Sequence, residues 1–196
     1  MTISNRLTIS RAIAAIVFIP VFRVDDPLAR CFALLLFTLA AISDYYDGKF
    51  ARDSNQTTRF GVMADPIADK LLVGVCLVSI SLLRPELIPM WMTVIILIRE
   101  VVITIYRFSA LAKGRALAAE RLGKWKTGLQ LGVIPCALIV ITIFTGEEGQ
   151  AWERLMTGHG IAQYMIGFVW WLALLTTFLT VYSGATFLKN NMTSNN

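Results

Sequence analysis

The sequence is poor in charged residues. Only 16 % of its 196 residues are Asp, Glu, Lys or Arg, while 56 % are hydrophobic, and the mean hydropathy is +0.64. Soluble domains carry about 25 % charged residues and about 45–50 % apolar ones. This composition therefore excludes an ordinary soluble domain and indicates a chain embedded in a membrane.

Cysteine and histidine are also scarce. Cys31, Cys76 and Cys136 are isolated within apolar segments, and no Cys-x2-Cys pair occurs, so we expect free buried thiols rather than disulfide bonds. His159 stands alone in a predicted outer loop, where we expect an exposed side chain without a functional role. No internal repeat divides residues 1–196, which we interpret as a single domain.

Long apolar runs are abundant. A helix needs about 20 mostly apolar residues to cross a hydrocarbon core about 30 Å thick. Six runs approach that length, so we predict an all-α fold. Its six transmembrane helices are expected at residues 7–22, 28–50, 62–83, 87–108, 127–145 and 162–188.

The distribution of positive charge predicts the orientation of these helices. Most Lys and Arg residues at the ends of the spans fall on the side that holds both termini. The other side holds Arg23, Arg30, Arg84 and Arg154. The positive-inside rule then places both termini in the cytoplasm. Basic loops at a bilayer surface also explain the net charge of +5 without a nucleic-acid partner.

Four aspartates lie at the junction of the second and third predicted helices. Asp44 and Asp47 are three residues apart, and Asp65 and Asp69 are four residues apart. Residues at these spacings share one face of a helix, and a short connection makes the two helices antiparallel neighbours. We therefore expect the four carboxylates to converge near the cytoplasmic membrane surface.

Clustered carboxylates in a membrane need compensating cations, because their burial and mutual repulsion are both costly. Oxygen ligands favour hard ions, so the sequence predicts two Mg²⁺ or Mn²⁺ ions held by Asp44, Asp47, Asp65 and Asp69. Paired metal ions suit phosphoryl chemistry. A single Asp at a helix end is often only a cap, but that interpretation does not explain two complete stripes.

Small residues accompany the aspartates. Gly48 and Ala51 share the stripe of Asp44, and Gly61 shares the stripe of Asp65. Because these residues present no bulk, a ligand can approach the backbone closely. The forked guanidinium of Arg52 can bind a diphosphate there.

This pattern resembles the signature of the CDP-alcohol phosphatidyltransferase family, Asp-x2-Asp-Gly-x2-Ala-Arg-x8-Gly-x3-Asp-x3-Asp. Every fixed position is met, by Asp44, Asp47, Gly48, Ala51, Arg52, Gly61, Asp65 and Asp69. The resemblance implies transfer of a phosphatidyl group from CDP-diacylglycerol to an alcohol, with release of CMP. It also implies that Asp69 is the general base, and that the CDP-lipid is bordered by Asp44, Gly48, Ala51, Arg52 and Gly61.

Outside the signature, the chain looks like the branch of this family that makes phosphatidylglycerophosphate from sn-glycerol 3-phosphate. The similar segments are residues 5–11, 65–70, 99–100 and 123–127. The resemblance further implies a homodimer in the inner, cytoplasmic membrane of the cell, with the active site facing the cytoplasm.

An acceptor that carries a phosphate needs cations of its own. Candidates lie in the third to fifth predicted helices, at Lys70, Arg99, Arg107, Lys124 and Lys126. Charges within a membrane are functional candidates by default, and a helix N-terminus favours anions. We expect Arg99, Arg107, Lys124 and Lys126 to include the phosphate-binding residues, with Glu100 paired to one cation. Alternatively, the two lysines anchor their helix to headgroups and Arg107 snorkels.

Other functions share parts of this pattern. The acceptor could instead be inositol phosphate, serine or, as in cardiolipin synthesis, phosphatidylglycerol. An aspartate-rich membrane prenyltransferase also binds a diphosphate through Mg²⁺, but six spans are few for that fold. A cation transporter would place carboxylates within the membrane, yet no inverted repeat is visible in the sequence.

Overall fold

The computed structural model describes residues 3–54, 59–112, 121–158 and 160–193. Side chains are described for residues 9–43, 70–110, 112, 126–158 and 160–191. His159 lies outside the described residues, so its predicted exposure is not tested.

The described residues form helices and no strand, which confirms the all-α class. The helices are α1 (Ile3–Arg23), α2 (Pro27–Ser54), α3 (Arg59–Leu83), α4 (Met90–Ala112), α5 (Arg121–Ile143), α6 (Gly146–Gly158) and α7 (Ile161–Thr193). Six of them, α1 to α5 and α7, overlap the six apolar runs of the sequence.

Helix α6 replaces the predicted outer loop between residues 146 and 160. It has 13 residues, with Glu147 and Glu148 in its first turn, where the positive end of the helix dipole favours carboxylates. Gly146 begins it with a φ of 78°, which glycine adopts without a steric penalty. No long apolar run marks this helix, and for that reason the hydrophobic pattern missed it.

The helices pack around one apolar core. Helix α1 lies against α2 and α3, α5 lies against α2, α3 and α7, α4 contacts α3 and α7, and α6 rests on α7. The largest buried side chains come from α1 to α5 and from the connection between α3 and α4, and include Phe18, Phe37, Leu77, Met92 and Ile134. Their burial holds the polar residues of α3, α4 and α5 at defined positions.

The outward surface is apolar as well. Ile105, Phe168 and Trp171 are 60 %, 62 % and 66 % exposed. Contiguous apolar surface is rare on soluble monomers and marks contact with protein or membrane. Together with the composition, this surface indicates an integral membrane protein.

Two helical segments in the described part of the chain are long and apolar enough to cross a membrane. They are Lys126–Ile143 and Ile161–Asn191, while the apolar parts of α2 and α3, Pro27–Ser43 and Lys70–Leu83, are shorter. Both of these shorter parts are bounded by the described side chains, which end at Ser43 in α2 and begin at Lys70 in α3. In α4, polar residues interrupt the apolar sequence, because Arg99, Glu100 and Arg107 lie near its middle and end. Six spans with cytoplasmic termini therefore stay a prediction.

Ion pairs attach α6 to the end of α3. Arg84 follows α3 and donates from Nη2 to Glu153 Oε1 of α6 at 2.6 Å, and also to Glu86. Partial burial lowers the pKa of the Arg84 guanidinium, but the two acidic partners outweigh burial and raise it above its ordinary value. Arg84 therefore stays charged and fixes α6 to the rest of the fold.

Candidate active site

The four signature aspartates lie on the helices that the sequence predicted. Asp44 and Asp47 belong to α2, and Asp65 and Asp69 belong to α3. Both segments are α-helical, so the three- and four-residue spacings place each pair on one face. Helix α1 contacts both α2 and α3. The four side chains lie outside the described ones, and their convergence on metal ions stays a prediction.

The residues predicted to border the CDP-lipid share these helices. Gly48, Ala51 and Arg52 belong to α2, and Gly61 belongs to α3. Their surroundings also lie outside the described side chains. What the structure establishes for this half of the site is the helical backbone that carries the signature.

A cluster of charged side chains lies next to the signature, where three helices meet. Lys70 of α3, Arg99 of α4 and Lys126 of α5 surround the carboxylate of Glu100. Lys70 Nζ is 3.5 Å from Oε2, Arg99 Nη1 is 3.7 Å from Oε1, and Lys126 Nζ forms an ion pair with Oε1. Glu100 is 9 % exposed and Lys126 is 4 % exposed. We refer to these four residues as the cation cluster.

Hydrogen bonds on α4 fix the position of Lys70. Its Nζ lies 3.4 Å from the carbonyl oxygen of Glu100 and also donates to Thr104 Oγ1. The Thr104 hydroxyl in turn donates to the same carbonyl at 2.6 Å. Helices α3 and α4 are therefore joined by polar contacts at the level of the cluster.

Helix α7 supports Arg99 from the other side. Arg99 Nη2 donates to Ser183 Oγ at 3.1 Å. Gly184 lies against the same side chain, and a Cβ added there would be 3.0 Å from Arg99 Nε and 3.1 Å from its Cγ. The absence of a side chain at Gly184 thus gives Arg99 its space.

The cation cluster carries an excess of positive charge. Lys70, Arg99 and Lys126 bring three positive charges, and Glu100 brings one negative charge. Buried charges are costly unless they are paired. An excess of two positive charges in a mostly buried place suits an anion with two negative charges, such as a phosphate monoester.

Two of the predicted acceptor residues meet at one carboxylate, and a third lies near them. Arg99 and Lys126 contact Glu100. Arg107 lies two turns further along α4, with its guanidinium 5.2 Å from the centre of the Phe187 ring, and its positive charge acts on Lys70 of the cluster. The side chain of Lys124 lies outside the described ones. The sequence analysis did not predict that Ser183 contacts Arg99. A hydroxyl group in a long apolar helix could have indicated a polar partner at this position.

A cavity of about 580 Å³ opens beside the cluster, between α1, α3 and α4. One of its walls follows a single stripe of α3, from Lys70 through Gly74 and Val78 to Leu82, and Ile19 and Leu97 contribute from α1 and α4. The cavity is thus mostly apolar, with Lys70 where it adjoins the cluster and a second cation, Arg23, contributed by the last turn of α1.

Comparison with known proteins identifies relatives along most of the chain. The family model described as CDP-alcohol phosphatidyltransferase matches residues 1–182. The protein named CDP-diacylglycerol–glycerol-3-phosphate 3-phosphatidyltransferase of Rickettsia typhi is 37 % identical over 180 residues, which cover 91 % of this chain and 92 % of the relative.

Two further relatives carry the same name. The protein of Rickettsia bellii is 39 % identical over 181 residues, with 91 % of each chain covered. The protein of Bacillus subtilis is 34 % identical over 151 residues, with 69 % of this chain and 75 % of the relative covered. The similarity therefore extends well beyond the aspartate signature.

Proposed function

This chain belongs to the CDP-alcohol phosphatidyltransferase family, and on that premise we propose that it transfers the phosphatidyl group of CDP-diacylglycerol to sn-glycerol 3-phosphate. The products are phosphatidylglycerophosphate and CMP. The names of the relatives support this reaction. The cation cluster is the observation that supports an acceptor with a phosphate group, because its excess of two positive charges matches a phosphate monoester. The names of the relatives favour glycerol 3-phosphate over inositol phosphate.

Divalent metal ions fit the donor set of the signature. Asp44, Asp47, Asp65 and Asp69 supply only oxygen ligands from two helical faces, and such ligands select hard ions such as Mg²⁺ or Mn²⁺. Two bound ions would polarise the diphosphate oxygens and offset the charge of the leaving group. Gly48, Ala51 and Gly61 would leave room for the cytidine diphosphate, and Arg52 would contact its phosphates.

Asp69 is proposed to act as the general base. Its carboxylate accepts the proton of an acceptor hydroxyl while that oxygen forms a bond to the phosphatidyl phosphorus. The bond from this phosphorus to the bridging oxygen of the diphosphate breaks, and CMP leaves with the electron pair. Lys70 directly follows Asp69 in α3. Consecutive residues of an α-helix point about 100° apart, so the proposed base and the proposed phosphate site belong to neighbouring faces of the same turn.

The acceptor phosphate is proposed to contact Lys70, Arg99 and Lys126. A guanidinium forms two parallel hydrogen bonds to phosphate oxygens, and ammonium groups add point charges. Lys124, two residues from Lys126, and Arg107, at the end of α4, remain candidates for the rim of the same site. An acceptor without net charge, such as the zwitterion serine, would leave the excess positive charge of the cluster uncompensated.

The donor lipid is proposed to place one acyl chain in the cavity between α1, α3 and α4. The α3 wall from Lys70 to Leu82 is about 18 Å long at 1.5 Å per residue. Beyond Lys70 it is apolar except for Ser79, and α1 adds Arg23 to the lining. Lys70 adjoins the proposed reaction centre, and the mostly apolar part extends away from it. This arrangement suits a lipid with an anionic headgroup.

We also propose six membrane spans, with both termini and the active site on the cytoplasmic side of the inner membrane. The helices and the basic residues at their ends support this topology. A homodimer is proposed from the family resemblance, and chemical cross-linking in native membranes would test it. The match to the family model over residues 1–182 favours this function over a prenyltransferase or a cation transporter.

The test is an acceptor screen with the purified protein. CDP-diacylglycerol and Mg²⁺ are incubated with glycerol 3-phosphate, inositol phosphate, serine or phosphatidylglycerol, and both CMP and the lipid product are measured. We expect CMP and phosphatidylglycerophosphate with glycerol 3-phosphate, and no product after removal of metal with EDTA. Turnover with another acceptor alone would replace the proposed one, and ion flux in liposomes without CMP release would favour a transporter.

A further inference from the structure

We propose that Glu100 is a positioning residue, which holds three cations from three helices in the arrangement that binds the acceptor phosphate. This inference deepens the proposed function and rests on it. Neither the aspartate signature nor the relatives assign any role to this carboxylate. Its contacts in the structure are what suggest one.

Both oxygens of Glu100 are engaged by the cations that surround it. Oε2 faces Lys70 at 3.5 Å, while Oε1 faces Arg99 at 3.7 Å and forms the ion pair with Lys126. These partners come from α3, α4 and α5. One buried carboxylate therefore joins three helices at a single point.

A carboxylate repels a phosphate, so Glu100 is not suited to contact the acceptor itself. Its effect must pass through the cations, by keeping them close together in spite of their mutual repulsion. If this carboxylate were absent, three like charges in a mostly buried place would turn apart or lose a proton. The acceptor would then have to organise the site on binding, which weakens its affinity.

Glu100 also adjusts the charge of the site. With it, the cluster has an excess of two positive charges, which matches a phosphate dianion. The hydrogen bonds from Lys70 to the α4 backbone and to Thr104 hold one cation independently of the Glu100 side chain. Lys126, whose ion pair in the described structure is with Glu100 alone, is expected to depend on it most.

The experiment compares Glu100→Gln and Glu100→Asp with the wild-type enzyme in steady-state assays. The KM for glycerol 3-phosphate and the KM for CDP-diacylglycerol are measured separately. We expect Glu100→Gln to raise the KM for glycerol 3-phosphate by about tenfold or more, with the KM for the lipid within about twofold. Glu100→Asp keeps the charge and is expected to recover part of the loss.

The matched control is Glu153→Gln, which makes the same chemical change in the ion pair with Arg84, in a different helix. Its KM for glycerol 3-phosphate should equal the wild-type value. Equal changes in both KM values for Glu100→Gln, or no rescue by aspartate, would overturn the positioning role. If Glu100→Gln does not fold, Glu100→Asp alone tests the positioning role. Its KM for glycerol 3-phosphate must then rise by about threefold, while its KM for CDP-diacylglycerol stays unchanged.

The two proposals fail in different ways. A wild-type enzyme that releases no CMP with glycerol 3-phosphate contradicts the proposed function. A wild-type enzyme that is active, beside a Glu100→Gln variant with an unchanged KM for glycerol 3-phosphate, contradicts only the role of Glu100.

Discussion

The residues of the site divide by charge along α3. Asp65 and Asp69 precede Lys70 in the chain, so the helix passes from the predicted metal ligands to the cation cluster within about one and a half turns. A carboxylate binds a phosphate only through a metal ion, whereas a cation binds it directly. This division suits a reaction in which a diphosphate and a separate phosphate must lie side by side.

Replacement of Asp69 by Asn tests the base. The amide cannot accept the proton of the acceptor hydroxyl, so we expect kcat to fall by about 10²- to 10⁴-fold while much of the CDP-diacylglycerol binding remains. Turnover is measured as CMP release and binding by calorimetry in detergent. Asp53→Asn changes a nearby acid outside the signature and should leave kcat unchanged.

The contradicting result for Asp69 is specific. If the variant lost CDP-diacylglycerol binding but turned over the lipid that still bound at the wild-type rate, Asp69 would be a binding residue and not the base.

Gly184→Ala tests the support of Arg99 by α7. The new methyl group would lie 3.0 Å from Arg99 Nε, so the Arg99 side chain must move by a few tenths of an ångström. We expect a rise of roughly threefold in the KM for glycerol 3-phosphate, with an unchanged lipid KM. Gly167→Ala on the same helix is the control, because an added Cβ there meets nothing within 4 Å.

A KM for glycerol 3-phosphate that rises equally in Gly184→Ala and Gly167→Ala would indicate a general effect of alanine in α7. The contact with Arg99 would then have no part in acceptor binding.

At the scale of the elements, α3 combines two tasks on different faces. Its Leu72 and Leu77 are buried in the core, while the stripe from Lys70 to Leu82 lines the cavity. Gly74 lies on that stripe, and a Cβ added there would be 3.1 Å from Leu97 of α4. The close approach of α3 and α4 therefore depends on a glycine in the cavity wall.

Val78→Trp tests the acyl-chain site. The indole would fill the middle of the cavity, so we expect the KM to rise about fivefold for CDP-diacylglycerol with long chains. The KM for a short-chain donor such as a dihexanoyl form should change little, because its chains do not reach Val78. Val181→Trp places the same residue on an exposed position of α7 and should affect neither donor.

If Val78→Trp impaired both donors equally, or neither of them, the acyl chains would lie elsewhere. The proposed acceptor site shares only Lys70 with this cavity, about 12 Å along α3 from Val78. The KM for glycerol 3-phosphate therefore serves as the internal reference for correct folding of the variant.

At the scale of the whole molecule, charge and hydrophobicity are arranged in layers. Exposed apolar residues cover the helix surfaces, and the cation cluster lies inside, next to the signature helices. At the end of α3, Arg84 forms an ion pair with Glu153 of α6, and α6 packs against α7. A membrane enzyme with a water-soluble acceptor needs this arrangement, because the acceptor must reach charged residues from one aqueous side.

The topology can be tested by cysteine labelling. In a variant whose three cysteines are replaced by alanine, Asn195→Cys is expected to react with a membrane-impermeant maleimide only in inside-out vesicles, since the positive-inside rule places the C-terminus in the cytoplasm. Gln150→Cys, at an exposed position of α6, should react only in intact cells. In the proposed topology one span, α7, separates the two positions, so they must be labelled from opposite sides. Labelling of both from the same side would contradict this topology.

The helical backbone of the candidate site could be predicted from the sequence because that information is local. The spacings of Asp44, Asp47, Asp65 and Asp69 depend only on helical periodicity, and α2 and α3 are helical at those positions. Arg99 and Lys126 were predicted as acceptor residues from their charge in or at the start of apolar helices, and that role stays a proposal. Arg107 satisfied the same criterion, yet its described contact is with Phe187 and not with Glu100.

The sequence by itself determined the helical class, the apolar surface and the family chemistry, because composition and residue spacing act within single helices. Only the tertiary structure decided that Lys70, Arg99 and Lys126 meet at one carboxylate and that α1, α3 and α4 enclose a cavity. Which faces of different helices meet depends on the rotation of each helix about its own axis and on the angles at which the helices cross. Side-chain packing along the whole chain sets the rotations and the crossing angles.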